Sequence, residues 1–134
     1  LTADHGMVAT RKDPLYDVAN HPGLTRLLHL MPTGEHRLMY LFTRPGQGDT
    51  VRHYYEQAWP GQFAFLDPME AVTAGLFGAG QPHPRLFDRL GDTIVAARER
   101  AYLWWADKEN ILVGRHGGLG PEEMIVPLLA AELG

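Results

Sequence analysis

Two histidine–glycine turns stand near opposite ends of this chain, Ala3-Asp4-His5-Gly6-Met7 and Gly114-Arg115-His116-Gly117-Gly118. If both serve one site, everything between them must leave that site and come back to it. Few folds allow this. The opening run Leu1-Thr2-Ala3 stops at an adjacent carboxylate and imidazole followed by glycine, which is how a buried strand delivers metal ligands at its carboxyl end. Neighbouring residues on a regular strand point to opposite faces, so Asp4 and His5 can reach one ion only if the backbone turns there. Gly6 supplies that freedom. A plainer reading has Asp4 capping the next segment and His5 merely hydrogen-bonded. Opening on a strand end without an initiator methionine, the chain is expected to be the C-terminal part of a longer protein.

The 134 residues amount to one domain with a single buried core. There is no cysteine, so any metal must be held by nitrogen and oxygen. The net charge of -4 is scattered and no basic stripe occurs, which removes a nucleic-acid groove. No apolar run of roughly 18 residues exists, so no membrane span is expected. Nothing in the sequence assigns a compartment, and the cytoplasm is the default.

Punctuation by proline and glycine divides the rest. Thr10 to Pro22 reads as a loop with at most one helical turn, and Leu24 to Leu30 as a strand or a short helix. Arg37 to Thr43 is a strand stopped by Pro45-Gly46. A helix capped by Asp49 or Thr50 runs through Val51, Tyr54, Tyr55 and Ala58 to Pro60-Gly61. Phe63 to Leu66 is a strand, Asp67-Pro68 opens a helix reaching Leu76, and a short helical piece carries Phe87 and Leu90. Asp92 to Ala97 and Ala101 to Trp105 form a hairpin across Arg98-Glu99-Arg100. Pro121 starts a last helix with Glu122 and Glu123 in its first turn, bent or broken at Pro127.

The expected layout is a core-strand end with its ligand turn over 1–12, an inserted cap subdomain over 13–112, and a return to the core over 113–134. The unit is expected to be α+β, a mixed sheet of about four strands with helices on at least one face. The first strand would lie outside that sheet, and an exposed edge could pair two chains into a dimer.

Thr2-Ala3-Asp4-His5-Gly6-Met7 resembles the hallmark of the alkaline phosphatase superfamily, within it the type I phosphodiesterase/nucleotide pyrophosphatase branch. Gly114 to Leu119, followed by Glu122-Glu123-Met124 and an apolar stretch, resembles that branch's later glycine-x-histidine-glycine element. Between them the match is loose, mainly at Arg89-Leu90-Gly91-Asp92. The resemblance implies an α/β fold for the whole protein and two divalent metal ions, usually zinc. Asp4 and His5 would hold the ion that also binds the nucleophile, and His116 would belong to the second. The nucleophile, a threonine or serine, lies upstream in the family together with the remaining ligands, so no catalytic residue is assigned here. The implied reaction is hydrolysis of a small phosphate ester through a covalent phosphoenzyme. Sulfatases and cofactor-independent phosphoglycerate mutases share the aspartate-histidine-glycine pattern and are the nearest competitors. An alternative of another class is a non-catalytic cap, since three ligands spread over two ions do not complete a site.

Asp17/His21 and Asp49/His53 also show a four-residue ligand spacing, but the family's pair precedes the Asp4-His5 element, and chain order argues against both. His29, His36 and His83 have no partner at ligand spacing. Trp104 and Trp105 are expected to pack in the core. Gly75 to Gly80 reads as a helix end and loop rather than a phosphate cradle. For Glu122 and Glu123 the helix dipole is a sufficient role.

Overall fold

The computed structural model describes residues 1–108 and 110–132. Glu109, Leu133 and Gly134, which fall in the expected cap and tail segments, lie outside the described residues. In chain order the elements are β1 (Val8–Ala9), two short 3-10 turns (Pro14–Tyr16 and Val18–Asn20), α1 (Pro22–Thr25), β2 (Thr33–Glu35) and β3 (Leu38–Leu41). There follow α2 (Gly48–Ala58), β4 (Phe63–Leu66), α3 (Pro68–Thr73), α4 (Phe87–Leu90), β5 (Thr93–Ala97), β6 (Gly114–Arg115) and α5 (Pro121–Met124).

The unit is α+β, and its main sheet has four strands in the order β2-β3-β5-β4. Every pairing is antiparallel, where a mixed sheet was expected. The two-residue connection from β2 to β3 permits only an antiparallel hairpin, whereas the longer, helix-bearing connections around β4 also return their strands antiparallel to β5. The two-residue period of β3 sorts its side chains. Met39 and Leu41 join Val95 and Phe63 on one face, under Val51 and Tyr55 of α2, Trp59, Val18 and Leu24. Leu38 and Tyr40 join Ile94 on the other, beneath Ala71 of α3 and Leu90 of α4. Both faces are covered, so β5 is buried from Ile94 to Ala97. Each fully buried Leu, Met or Val contributes about 1.5–3 kcal/mol, which outweighs the scattered prolines and glycines of the loops.

Local chemistry sets the element ends. The Asp67 carboxylate accepts from the Met69 and Glu70 amides and Pro68 stands at the first helical position, as expected for α3. That helix stops at Thr73, short of Leu76, because Gly75 turns left-handed at φ 82°. On α2 neither Asp49 nor Thr50 caps, since the helix already starts at Gly48. Leu24 sits in the one-turn α1, and Thr10 to Pro22 carries two 3-10 turns that bury Val18.

The expected hairpin between β5 and residues 101–105 does not form. Both edges of β5 are taken by β3 and β4, so Ala101 to Trp104 runs elsewhere. The Leu103 amide donates to the His36 carbonyl at 2.9 Å, and Trp104 exchanges backbone bonds with Tyr16 and Val18. Trp104 is buried, as expected, and Trp105 packs against the same core.

Candidate metal centre

The two ends of the chain meet in a second, two-stranded sheet. β1 pairs antiparallel with β6, Val8 opposite Arg115 and Ala9 opposite Gly114. The Thr10 amide extends the ladder to the Val113 carbonyl at 2.7 Å, Gly6 donates to the Glu123 carbonyl at 2.8 Å, and Thr2 bridges Leu128. The strand expected to end at Ala3 is not formed: Leu1 to Ala3 is exposed and pairs only through the isolated Thr2–Leu128 bridge, and the strand at this end, β1, follows the ligand turn instead of leading into it. This closure brings His5 and His116 face to face, ring centroids 3.8 Å apart and planes 19° from parallel.

A bend at Asp4 turns its side chain to the same side as that of His5. One Asp4 carboxylate oxygen accepts the His5 amide at 3.0 Å, and the other lies 3.6 Å from His5 Nε2. His5 Nδ1 is 2.8 Å from the Gly6 carbonyl oxygen. A carbonyl can only accept, so Nδ1 carries a hydrogen. A ligating imidazole held through its other nitrogen by a backbone carbonyl is the usual second-shell arrangement.

Asp4 and His5 offer one oxygen and one nitrogen donor at a spacing that a divalent cation could bridge. Tetrahedral oxygen and nitrogen ligands at about 2.0–2.1 Å from zinc stand roughly 3.3 Å apart, close to the 3.6 Å between Asp4 Oδ2 and His5 Nε2. Among the described residues no group of three or more acidic or histidine side chains is placed to hold a metal ion.

No family model and no curated protein matches the sequence. Two solved structures share the fold. Both are murine ectonucleotide pyrophosphatase / phosphodiesterase 5, one of them an inactive variant in complex with AMP, with TM-scores of 0.55 and 0.58 at 19% identity. The match covers 93% of this chain. The chain has a nucleotide pyrophosphatase/phosphodiesterase-like fold. It spans 31% of the murine chain's length.

Beside His116 lies a cavity of about 340 Å³, lined among others by His36, Trp104, Lys108, Leu112 and Arg115. His36 stacks on Trp104 at 4.5 Å and tilts against Trp105 at 4.7 Å. Burial, then the nearby charges of Arg115, Lys108 and His116, lowers its pKa to about 4, so the ring is neutral at neutral pH. The Arg115 guanidinium lies over Tyr102 at 4.1 Å and Trp104 at 5.1 Å.

The competing aspartate–histidine pairs have other work. Asp17 accepts the Ala19 amide, and His21 uses both nitrogens, Nδ1 with the Tyr54 hydroxyl and Nε2 donating to the Leu15 carbonyl. His83 Nδ1 accepts the Arg85 amide. Asp49 and His53 stand on the exposed side of α2.

Glu123 departs furthest from expectation. Far from facing solvent at a helix start, it is 2% exposed, and its carboxylate is gripped at both oxygens by Arg37 Nε and Nη2, at 2.7 and 2.8 Å. The Gly118 amide donates to the same carboxylate at 2.9 Å. The helix α5 is a single turn, and its break comes at Ile125, before Pro127, where the backbone becomes extended to reach the Thr2–Leu128 bridge. Glu122 remains exposed in the first turn.

Proposed function

We propose that this chain supplies three metal ligands, Asp4, His5 and His116, to a phosphoric ester hydrolase of the nucleotide pyrophosphatase/phosphodiesterase type. The observation that carries the reading is the stacking of His5 on His116, two turns from opposite ends of the sequence brought face to face inside a shared fold. Two divalent ions, zinc by the character of the nitrogen and oxygen donors, would supply charge stabilisation of the phosphoryl group and activation of the attacking hydroxyl. Asp4 provides the negative charge that a cation needs beside neutral imidazoles. With His5 neutral, the Gly6 carbonyl fixes its tautomer, leaving Nε2 available. The nucleophile and further ligands come from outside these residues, and the ester is cleaved through a covalent phosphoenzyme.

Exposed apolar side chains support a larger assembly. Leu1, Met7, Ile111, Val113, Ile125 and Leu128 are all more than half exposed, and all belong to the two ends rather than to the sheet between them. Such a surface marks a site of contact, here with the remainder of the hydrolase. A second reading, in which the chain is an access-shaping cap without activity, is favoured by the two buried clusters that cover both sheet faces independently of the ligand turns. Pairing of two chains along the free edge of β2 or β4 would serve either reading.

The full-length protein carrying this segment should hydrolyse bis-p-nitrophenyl phosphate with zinc and leave p-nitrophenyl sulfate untouched. Asp4→Asn and His116→Ala should each lower kcat/KM by more than about 100-fold. Undiminished turnover in the His116→Ala protein would sink the hydrolase reading. Turnover by the 134-residue chain alone would sink the cap reading.

A further inference from the structure

We infer that Glu123, clamped by Arg37, is the positioning residue that sets the separation of His5 and His116. The inference deepens the metal-site reading and rests on it for its catalytic consequence, though not for its structural one.

One residue touches both ligand turns. The Glu123 main-chain carbonyl accepts the amide of Gly6, the residue after His5. Its side-chain carboxylate accepts the amide of Gly118, two residues after His116. The same carboxylate is tied to the main sheet, because Arg37 immediately precedes β3, donates through Nη1 to the Ala101 carbonyl at 2.5 Å, and accepts the Ala97 amide at its own carbonyl. A line of hydrogen bonds therefore runs from the sheet through Arg37 to Glu123 and divides there toward the two imidazoles.

Close packing enforces the arrangement. A Cβ on Gly6 would stand 1.9 Å from the Glu122 carbonyl oxygen, and a Cβ on Gly118 would stand 2.5 Å from a Glu123 carboxylate oxygen. Neither glycine needs its freedom for a left-handed φ, since neither lies in that region. Both are small because the backbone and side chain at 122–123 occupy the space. Contact with the 122–123 segment thus explains Gly6 and Gly118, while Gly117, directly after His116, is left-handed at φ 99° and packs against Glu35.

A purely stabilising salt bridge is the competing account. Buried ion pairs are poor stabilisers beside apolar side chains of similar volume, because desolvation offsets the attraction. A pair kept only for stability would also have no reason to direct its remaining lone pair at the turn that carries His116. A bidentate, fully bonded carboxylate does have high directional rigidity, which is what holding two ligands at a fixed spacing requires.

The test uses Glu123→Gln, Gly118→Ala and Arg37→Lys. In the metal-free 134-residue chain, nuclear Overhauser contacts between the His5 and His116 rings should weaken in Glu123→Gln and Gly118→Ala, with shifted ring signals. The resonances of Tyr40 and Ile94, on the far side of the sheet, should stay in place. In the full-length enzyme kcat should fall about 10- to 100-fold, the range for lost second-shell support, with little change in KM. Arg37→Lys, which keeps the charge and one donor, should fall between.

If His116→Ala leaves hydrolysis intact while Glu123→Gln still parts the rings, the metal reading fails and the positioning role stands. If Glu123→Gln does not fold, Gly118→Ala decides, because it keeps the side chains of Arg37 and Glu123 and forces the His116 turn and the carboxylate apart. Rings that remain stacked in a folded Gly118→Ala or Glu123→Gln chain would overturn the inference.

Discussion

Asp4 and His5 share one side of the chain only because the backbone bends between them and Gly6 can press against the Glu122 carbonyl. Those three residues are contiguous, so their juxtaposition was legible in the sequence. Glu123 was not, because its meaning depends on Arg37, 86 positions away, and no local pattern links an arginine before a strand to an acid in a helix turn. His36 was equally silent: its environment is made by Trp104, Trp105, Arg115 and Lys108, all distant in sequence. Its ring takes a proton near 6.5 when the chain is unfolded and only near 4 when folded. Between those values the unfolded chain binds more protons, so stability falls as pH falls through that window. Replacing His36 by phenylalanine keeps an aromatic ring against Trp104 and removes the titration. The midpoint of thermal unfolding of His36→Phe, relative to the parent chain, should therefore rise progressively from pH 6.5 to 4 and level off below. A difference that does not vary with pH would count against this environment for His36.

At the level of elements, what the sequence revealed was what local periodicity controls. The alternation of Leu38 to Leu41, the proline after Asp67, and the Val51–Tyr55 spacing of α2 each reports a face or an end by itself. Pairing does not, and residues 101–105 were misassigned for that reason: a strand-like pattern says nothing about which edges are still free. The entry to β5 shows the kind of detail that decides register. Gly91 is left-handed at φ 67°, and a Cβ there would come within 2.4 Å of the Leu41 carbonyl oxygen, which accepts the Asp92 amide. The Asp92 carboxylate in turn accepts from the Thr43 amide at 2.7 Å. Gly91→Ala therefore strains the backbone and crowds the β3–β5 junction together, and should destabilise the chain by about 2 kcal/mol or more in urea unfolding. A loss under about 0.5 kcal/mol would show that the junction relaxes freely.

Taken whole, the molecule has a well-covered four-stranded centre and a slender closure where its ends meet. The centre is held by two buried clusters, one on each face. The closure consists of two paired residues on each strand, a bridge flanked by Leu1–Leu129 bonds, the hydrogen bonds of Gly6 and Thr10, and the single buried Arg37–Glu123 tie. An imbalance of this size means the small sheet can open while the large one stays shut, by a sub-global fluctuation of low free energy. Hydrogen exchange should expose it: the amides of Gly6 and Thr10 should exchange through an opening insensitive to denaturant, and those of β5 only on global unfolding. Uniform protection across both sheets would show that the ends are locked to the centre. Any ligand gripping both turns at once would slow that fluctuation by mass action, so that occupancy of the site and integrity of the junction rise and fall together.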